Sequence, residues 1–199
     1  RRGVAVTMTD TNEESLGKGV AATLEEASYD RKTKSASTEK LLELTPRLSS
    51  TTNDQEIAKC DLVLEAVVEN LDIKRSVLQR LEPLMADDAI LASNTSTIPI
   101  TQLAEGLSRP EQFCGIHFFN PVRRMKLVEV IRGEQTSDAP TVTAVAHAKR
   151  IGKLPIVVND GPGFLVNRLL FPYMNEAIEL LCEGVSLQQI DRVAKKFGM

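Results

Sequence analysis

The apolar positions of this 199-residue chain change their rhythm from one segment to the next. Val4-Ala5-Val6-Thr7-Met8 is a short β-rich run closed by Thr9-Asp10, and a Glu- and Ala-rich stretch over residues 12–29 predicts a helix. Residues 30–38 have no periodicity and predict an exposed loop. Residues 61–68 carry apolar side chains at both parities, as expected of a strand covered on both faces of a parallel sheet. A helix over 72–85, a strand over 89–93 and the polar loop Asn94-Thr95-Ser96-Thr97 come next. Strands around 114–119 and 127–131, a helix near 139–151 and a strand over 154–158 complete the series.

Strands alternating with helices imply βαβ units, and so an α/β, Rossmann-like, doubly wound and mainly parallel sheet. From Gly161 onward the rhythm changes. Residues 164–182 form one long amphipathic segment and 186–197 a second, with no strand between them. The expected division is an α/β domain over 1–160 and the start of an all-α domain over 161–199, meeting at Asp160-Gly161-Pro162-Gly163.

Composition narrows the function without naming it. With 24 basic and 27 acidic residues the net charge is −3, which gives no electrostatic case for nucleic acid or an anionic membrane. No apolar run approaches the ~20 residues of a transmembrane helix. Cys60, Cys114 and Cys182 lie far apart with no Cys-x-x-Cys pair, arguing against a thiolate metal site or a disulfide scaffold and fitting a reducing, cytoplasmic setting. The chain opens Arg1-Arg2-Gly3-Val4, with neither Met nor a signal-like segment, and is expected to be part of a longer polypeptide.

In open α/β sheets ligands bind beyond the carboxyl ends of the strands. Dinucleotide folds also place an acidic residue at the end of the second strand to receive the adenosine ribose hydroxyls. Asp10 ends such a strand, and no Arg follows closely, which favours NAD over NADP if Asp10 has that role. A strand-ending Asp is more often an ordinary turn or cap residue. Gly17-Lys18-Gly19-Val20-Ala21-Ala22 matches G-x-G-x-x-A, but it follows the acidic residue and lies inside a helical run. It is expected to be helix, so the first strand and glycine-rich phosphate loop are missing from this sequence.

Two histidines make the search for a general base short. His147 sits in an ordinary helical context and is expected to be structural or solvated. His117, in Gly115-Ile116-His117-Phe118-Phe119-Asn120-Pro121, ends a strand. Twelve residues later, strand period puts Glu129 on the face of Leu127 and Ile131. A carboxylate there is costly unless paired, and an imidazole is a suitable partner. A Glu at a strand edge facing water is the plainer alternative. Asn167 precedes Leu170, Phe171 and Met174 by three, four and seven, so it shares their expected buried face. Asn94 and Ser96 lie just past a strand's carboxyl end, where ligand contacts and ordinary turns are both found.

Four blocks taken together resemble the L-3-hydroxyacyl-CoA dehydrogenase family: Glu65-Ala66-Val67-Val68-Glu69-Asn70, Ala92-Ser93-Asn94-Thr95-Ser96-Thr97, His117-Phe118-Phe119-Asn120-Pro121 with Met125-Lys126-Leu127-Val128-Glu129, and Asp160-Gly161-Pro162-Gly163-Phe164-Leu165-Val166-Asn167-Arg168. The segments Ser93–Ile100 and Arg132-Gly133-Glu134 are most similar to its bacterial multifunctional fatty-acid oxidation branch, where a hydratase/isomerase region precedes the dehydrogenase. The resemblance implies NAD-dependent oxidation of (S)-3-hydroxyacyl-CoA to 3-oxoacyl-CoA. It implies His117 as general base, Glu129 as the carboxylate holding it, Ser96 and Asn167 positioning the 3-oxygen, and Asn120 supporting the histidine loop. Asp10, Glu69, Lys74 and Asn94 would lie on the NAD side. A thiolase β subunit and a dimer belong to the implied assembly. A stand-alone 3-hydroxybutyryl-CoA dehydrogenase and a catalytically inert fragment are the alternatives.

Overall fold

The computed structural model describes residues 3–30 and 32–198. Near its start, β1 (Val6–Met8) leads into helix α1 (Glu13–Ser28), capped by the Asn12 side chain, which accepts from the Ser15 N–H at 2.8 Å. The G-x-G-x-x-A run is inside α1. A Cβ on Gly19 would stand 3.2 Å from the Met8 sulfur, so this glycine lets the helix lie close on β1.

The stretch 30–38, expected to be loop, contains a two-residue antiparallel pair, β2 (Tyr29–Asp30) with β3 (Ser35–Ala36). Polar side chains hold it: Asp30 accepts from the Lys32 N–H at 2.8 Å and from the Lys40 ammonium at 2.8 Å. Lys34 takes the left-handed turn at φ 55°. Helix α2 (Thr38–Leu44) follows, and then β4 (Leu48–Ser50), which pairs in parallel with β1 from Val6↔Leu48 to Met8↔Ser50. Among the described residues this pair forms a sheet of its own.

After the short helix α3 (Asp54–Ile57) comes the main sheet: β5 (Leu62–Glu65), β6 (Ile90–Ser93), β7 (Phe113–Phe118), β8 (Leu127–Arg132) and β9 (Leu154–Asn159), in that spatial order. Every pair is parallel except β7 with β8. Helices α4 (Leu71–Leu81) and α5 (Ile100–Ala104) bury Leu78, Leu81, Ile100 and Leu103 with Phe113 and Ile131 on one face. Helix α6 (Asp138–Arg150) buries Ala144 and Ala148 with Cys114, Ile116, Val128 and Val130 on the other. The Rossmann-like, doubly wound expectation is met. Burial pushes the Cys114 thiol up to about 12, leaving it an inert core residue.

Alternation along β7 sends Phe113, Gly115 and His117 to the α4–α5 face. A Cβ on Gly115 would come within 2.8 Å of both the Ile100 and Ile131 Cδ1 atoms. Gly115→Ala is therefore expected to cost about 1–3 kcal/mol by overpacking, read as a lower urea midpoint at unchanged slope.

Three elements differ from expectation, two in extent and one in burial. Strand β5 stops at Glu65 because that side chain turns back to accept the Val67 N–H at 2.6 Å. Helix α4 ends at Leu81 rather than at 85, since Pro83 imposes a 3-10 turn over Glu82–Leu84. The long helix α7 (Val166–Cys182) buries none of its residues. Its stripe of Phe171, Met174 and Ile178 is more than half exposed, at 55%, 51% and 58%, because α8 (Leu187–Phe197) is its main described partner. No helix among the described residues is long and apolar enough to cross a membrane.

Candidate active site

Antiparallel pairing of β7 and β8 sets His117 directly opposite Glu129. His117 Nδ1 lies 2.8 Å from Glu129 Oε2, and Glu129 is completely buried. The imidazole stacks near two rings, with the Phe119 centroid at 4.4 Å and the Phe164 centroid at 5.8 Å. Glu129's other oxygen accepts the Leu165 and Val166 N–H groups at 3.0 and 2.9 Å. Burial alone would raise this carboxyl's pKa. The His117 hydrogen bond and the Val166 and Leu165 donors outweigh it, and the net direction is down.

The two donors are aimed by Gly163 and Phe164, both left-handed at φ 70° and 53°. That conformation costs a bulky residue such as phenylalanine energy, and burial of its ring, 2% exposed, offsets the cost. The sign for stability follows from the lowered Glu129 pKa. Its contribution is present above the unfolded carboxyl value of about 4.3 and is lost as pH falls through the folded value. The urea midpoint is expected to fall as pH drops below about 4, and Glu129→Gln should flatten part of that fall.

A second carboxylate network closes the opposite wall. Glu69 Oε1 accepts from Thr95 Oγ1 at 2.6 Å, from the Ser96 N–H at 2.9 Å and from the Thr97 N–H at 3.1 Å. Against the raising effect of burial, these donors and Lys74 bring the Glu69 pKa down. Asn167 Nδ2 donates to the Ser96 carbonyl at 3.1 Å, joining α7 to this turn. Asn167 is half-buried there, not on a buried stripe. Support for the histidine loop comes from Asn94, whose Oδ1 accepts the Phe118 N–H at 2.9 Å. Asn120, exposed and followed by the cis bond to Pro121, makes no side-chain hydrogen bond with another described residue.

Thus His117, Glu129, Ser96, Asn94, Asn167 and Glu69 meet at the carboxyl ends of β5, β6 and β7. Lys74 lies inside the wall, 1% exposed, and reaches the open side only through Glu69 at 3.4 Å. Asp10 is exposed two residues past β1, the strand of the separate two-stranded sheet, and accepts the Thr11 N–H at 2.6 Å. His147 is half-buried on α6, and burial together with Arg150 lowers its pKa. Sequence reasoning assigned no role to Glu65, Ser93, Thr95 or Phe164. The signal available for Glu65 was a carboxylate at the end of an otherwise apolar strand.

The donor set suits the two ends of a dinucleotide: an exposed strand-end carboxylate for a ribose diol, and a polar rim at the strand ends for the other half. The described residues include no glycine-rich turn between strand and helix for a pyrophosphate.

Residues 1–161 match the family model described as 3-hydroxyacyl-CoA dehydrogenase, NAD binding domain, and residues 163–199 the model described as 3-hydroxyacyl-CoA dehydrogenase, C-terminal domain. The chain is 50% identical over 199 residues to the fatty acid oxidation complex subunit alpha of Psychrobacter arcticus, covering 99% of this chain and 27% of that protein. Over 201 residues it is 50% identical to the same-named subunit of Pseudomonas putida, with 99% and 28% covered. It therefore spans about a quarter of the length of these curated relatives. Among solved structures, an (S)-3-hydroxybutyryl-CoA dehydrogenase from Ralstonia eutropha is similar at TM-score 0.89 and 39% identity, over 98% of this chain and 69% of that one. The dehydrogenase part of a multifunctional enzyme from C. elegans is similar at TM-score 0.73 and 28% identity, over 99% and 45%. A dehydrogenase-type sheet, a buried His-Glu pair at its strand ends and matches along the whole chain agree: the chain belongs to the 3-hydroxyacyl-CoA dehydrogenase family.

Proposed function

We propose that this chain is the dehydrogenase portion of a longer bacterial fatty-acid oxidation polypeptide, oxidising (S)-3-hydroxyacyl-CoA to 3-oxoacyl-CoA. The observation that carries this reading is the buried His117–Glu129 pair at 2.8 Å. NAD, when bound, accepts the hydride that leaves C3. With Nδ1 donating to the carboxylate, Nε2 is the nitrogen left without a proton, and it takes the 3-hydroxyl proton. Glu129 then stabilises the imidazolium without itself becoming the base. The Phe119 and Phe164 rings keep water from the imidazole. Ser96 and Asn167 hold the 3-oxygen, and Glu69 fixes the turn that presents Ser96. Asp10 takes the adenosine ribose, while Asn94, Glu69 and, behind it, Lys74 form the nicotinamide side.

The same reading divides the chain into an NAD-binding unit over 1–160 and the opening helices of a substrate and dimerisation unit over 161–199. It places the complete polypeptide in the cytoplasm, next to a hydratase/isomerase region and a thiolase β subunit. The test is consumption of NADH with acetoacetyl-CoA by the complete polypeptide that carries this sequence. Turnover supports the assignment, and its absence in folded protein sinks it. An NADH titration of the 199-residue chain, followed by fluorescence, asks whether this portion alone holds the cofactor. Micromolar binding would contradict the reading of an inert fragment.

A further inference from the structure

Glu65 ends β5 in the interior, with a side chain that is fully buried. Three donors meet it: the Val67 N–H at 2.6 Å and Lys74 Nζ at 2.9 Å on Oε1, and Ser93 Oγ at 2.6 Å on Oε2. Its backbone carbonyl accepts the Asn94 N–H at 2.8 Å. Lys74 also donates to the Val67 carbonyl at 3.2 Å and stands 3.4 Å from Glu69 Oε2. A buried ion pair of this kind contributes little net stability relative to an apolar pair, so stability alone is a weak reason for it. What it does offer is placement. One ammonium is shared by a buried carboxylate and a half-exposed one, and the half-exposed one holds the Ser96–Thr97 turn.

We propose that Glu65 is a positioning residue for the active site, fixing Glu69 through Lys74 and the ends of β5 and β6 through Ser93 and Asn94. This rests on the function proposed above. Neutralising Glu65 leaves Lys74 with Glu69 as its remaining carboxylate. Glu69 is then drawn toward the ammonium and away from the Ser96 and Thr97 amides. The turn loosens where Ser96 and Asn167 must hold the substrate oxygen, and geometric error at that point lowers turnover more than binding.

The test is Glu65→Gln in the complete polypeptide, with Ser93→Ala as a second variant that removes one donor and leaves the ion pair intact. A core variant on α4, Leu78→Val, one turn from Lys74, serves as a control that lowers Tm while leaving every polar group of the network in place. For Glu65→Gln, kcat is expected to fall about 10- to 100-fold with KM for the acyl-CoA within about twofold. Hydrogen exchange should rise in the peptide containing residues 94–98 and stay unchanged over Phe113–Phe118. Ser93→Ala should show the same pattern at smaller size. The proposal is overturned if kcat holds while Tm falls, if Leu78→Val lowers kcat equally, or if exchange at 94–98 is unmoved. Absence of turnover in the wild type would instead remove the dehydrogenase reading, and the exchange measurement would still decide whether Glu65 holds the turn.

Discussion

His117→Gln is expected to reduce kcat for 3-hydroxyacyl-CoA oxidation by about 10²- to 10⁴-fold, the range associated with loss of a general base. Glutamine is close to the imidazole in size, and its flexible amide can still turn an N–H toward Glu129. The pocket between Phe119 and Phe164 stays filled, and the fold should persist. What is lost is a ring nitrogen that can take up the hydroxyl proton, since an amide cannot. NADH affinity, measured by fluorescence, should therefore remain close to wild type while turnover collapses. Near wild-type kcat would refute the role given to His117.

Changing Glu129 produces two separable losses. Glu129→Gln preserves shape, and its carbonyl can still accept from Leu165 and Val166. Its NH2 then faces Nδ1, which has to accept. The ring proton moves to Nε2, the nitrogen that should be free, and kcat is expected to drop by about 10²- to 10⁴-fold in a protein that still folds. Glu129→Ala has a different outcome. It leaves the Leu165 and Val166 donors and His117 without an acceptor in a dry interior, at a cost of about 3–5 kcal/mol. Comparing the two by urea unfolding and by steady-state kinetics separates orientation of the base from support of the fold. Equal destabilisation by both would contradict the distinct tasks of the two carboxylate oxygens.

The fold and the dyad were largely legible in the sequence because each had a short-range signature. Glu129 declared itself as a charge in phase with Leu127 and Ile131, and only two histidines competed to meet it. The run around Gly17 and Gly19 declared itself as helix, and the structure adds the contact with Met8 that explains one of those glycines. Other features depend on atoms distant in sequence. Val6–Met8 is legible as a short strand, but its partner Leu48-Ser49-Ser50 is a brief, mostly polar run with no alternation to read, so their pairing is not. Exposure of α7 depends on what packs over it, which helical periodicity cannot report. In sequence Glu65 is one residue of the strand expected over 61–68, and Lys74 is placed on the NAD side by resemblance alone. Their mutual burial becomes visible only when β5 and α4 are folded together.

Glu129 also shows that a seam in sequence need not be a seam in chemistry. The two family matches meet near Asp160-Gly161-Pro162-Gly163, and a cut there would look clean. Yet two of the three donors that keep Glu129 ionised, and one of the two rings that flank His117, lie beyond the cut. A sheet unit severed at that point would keep both His117 and Glu129 and lose the surroundings that hold them in place. Any graft of a new helical tail onto this sheet must therefore carry Gly163 through Val166 with it.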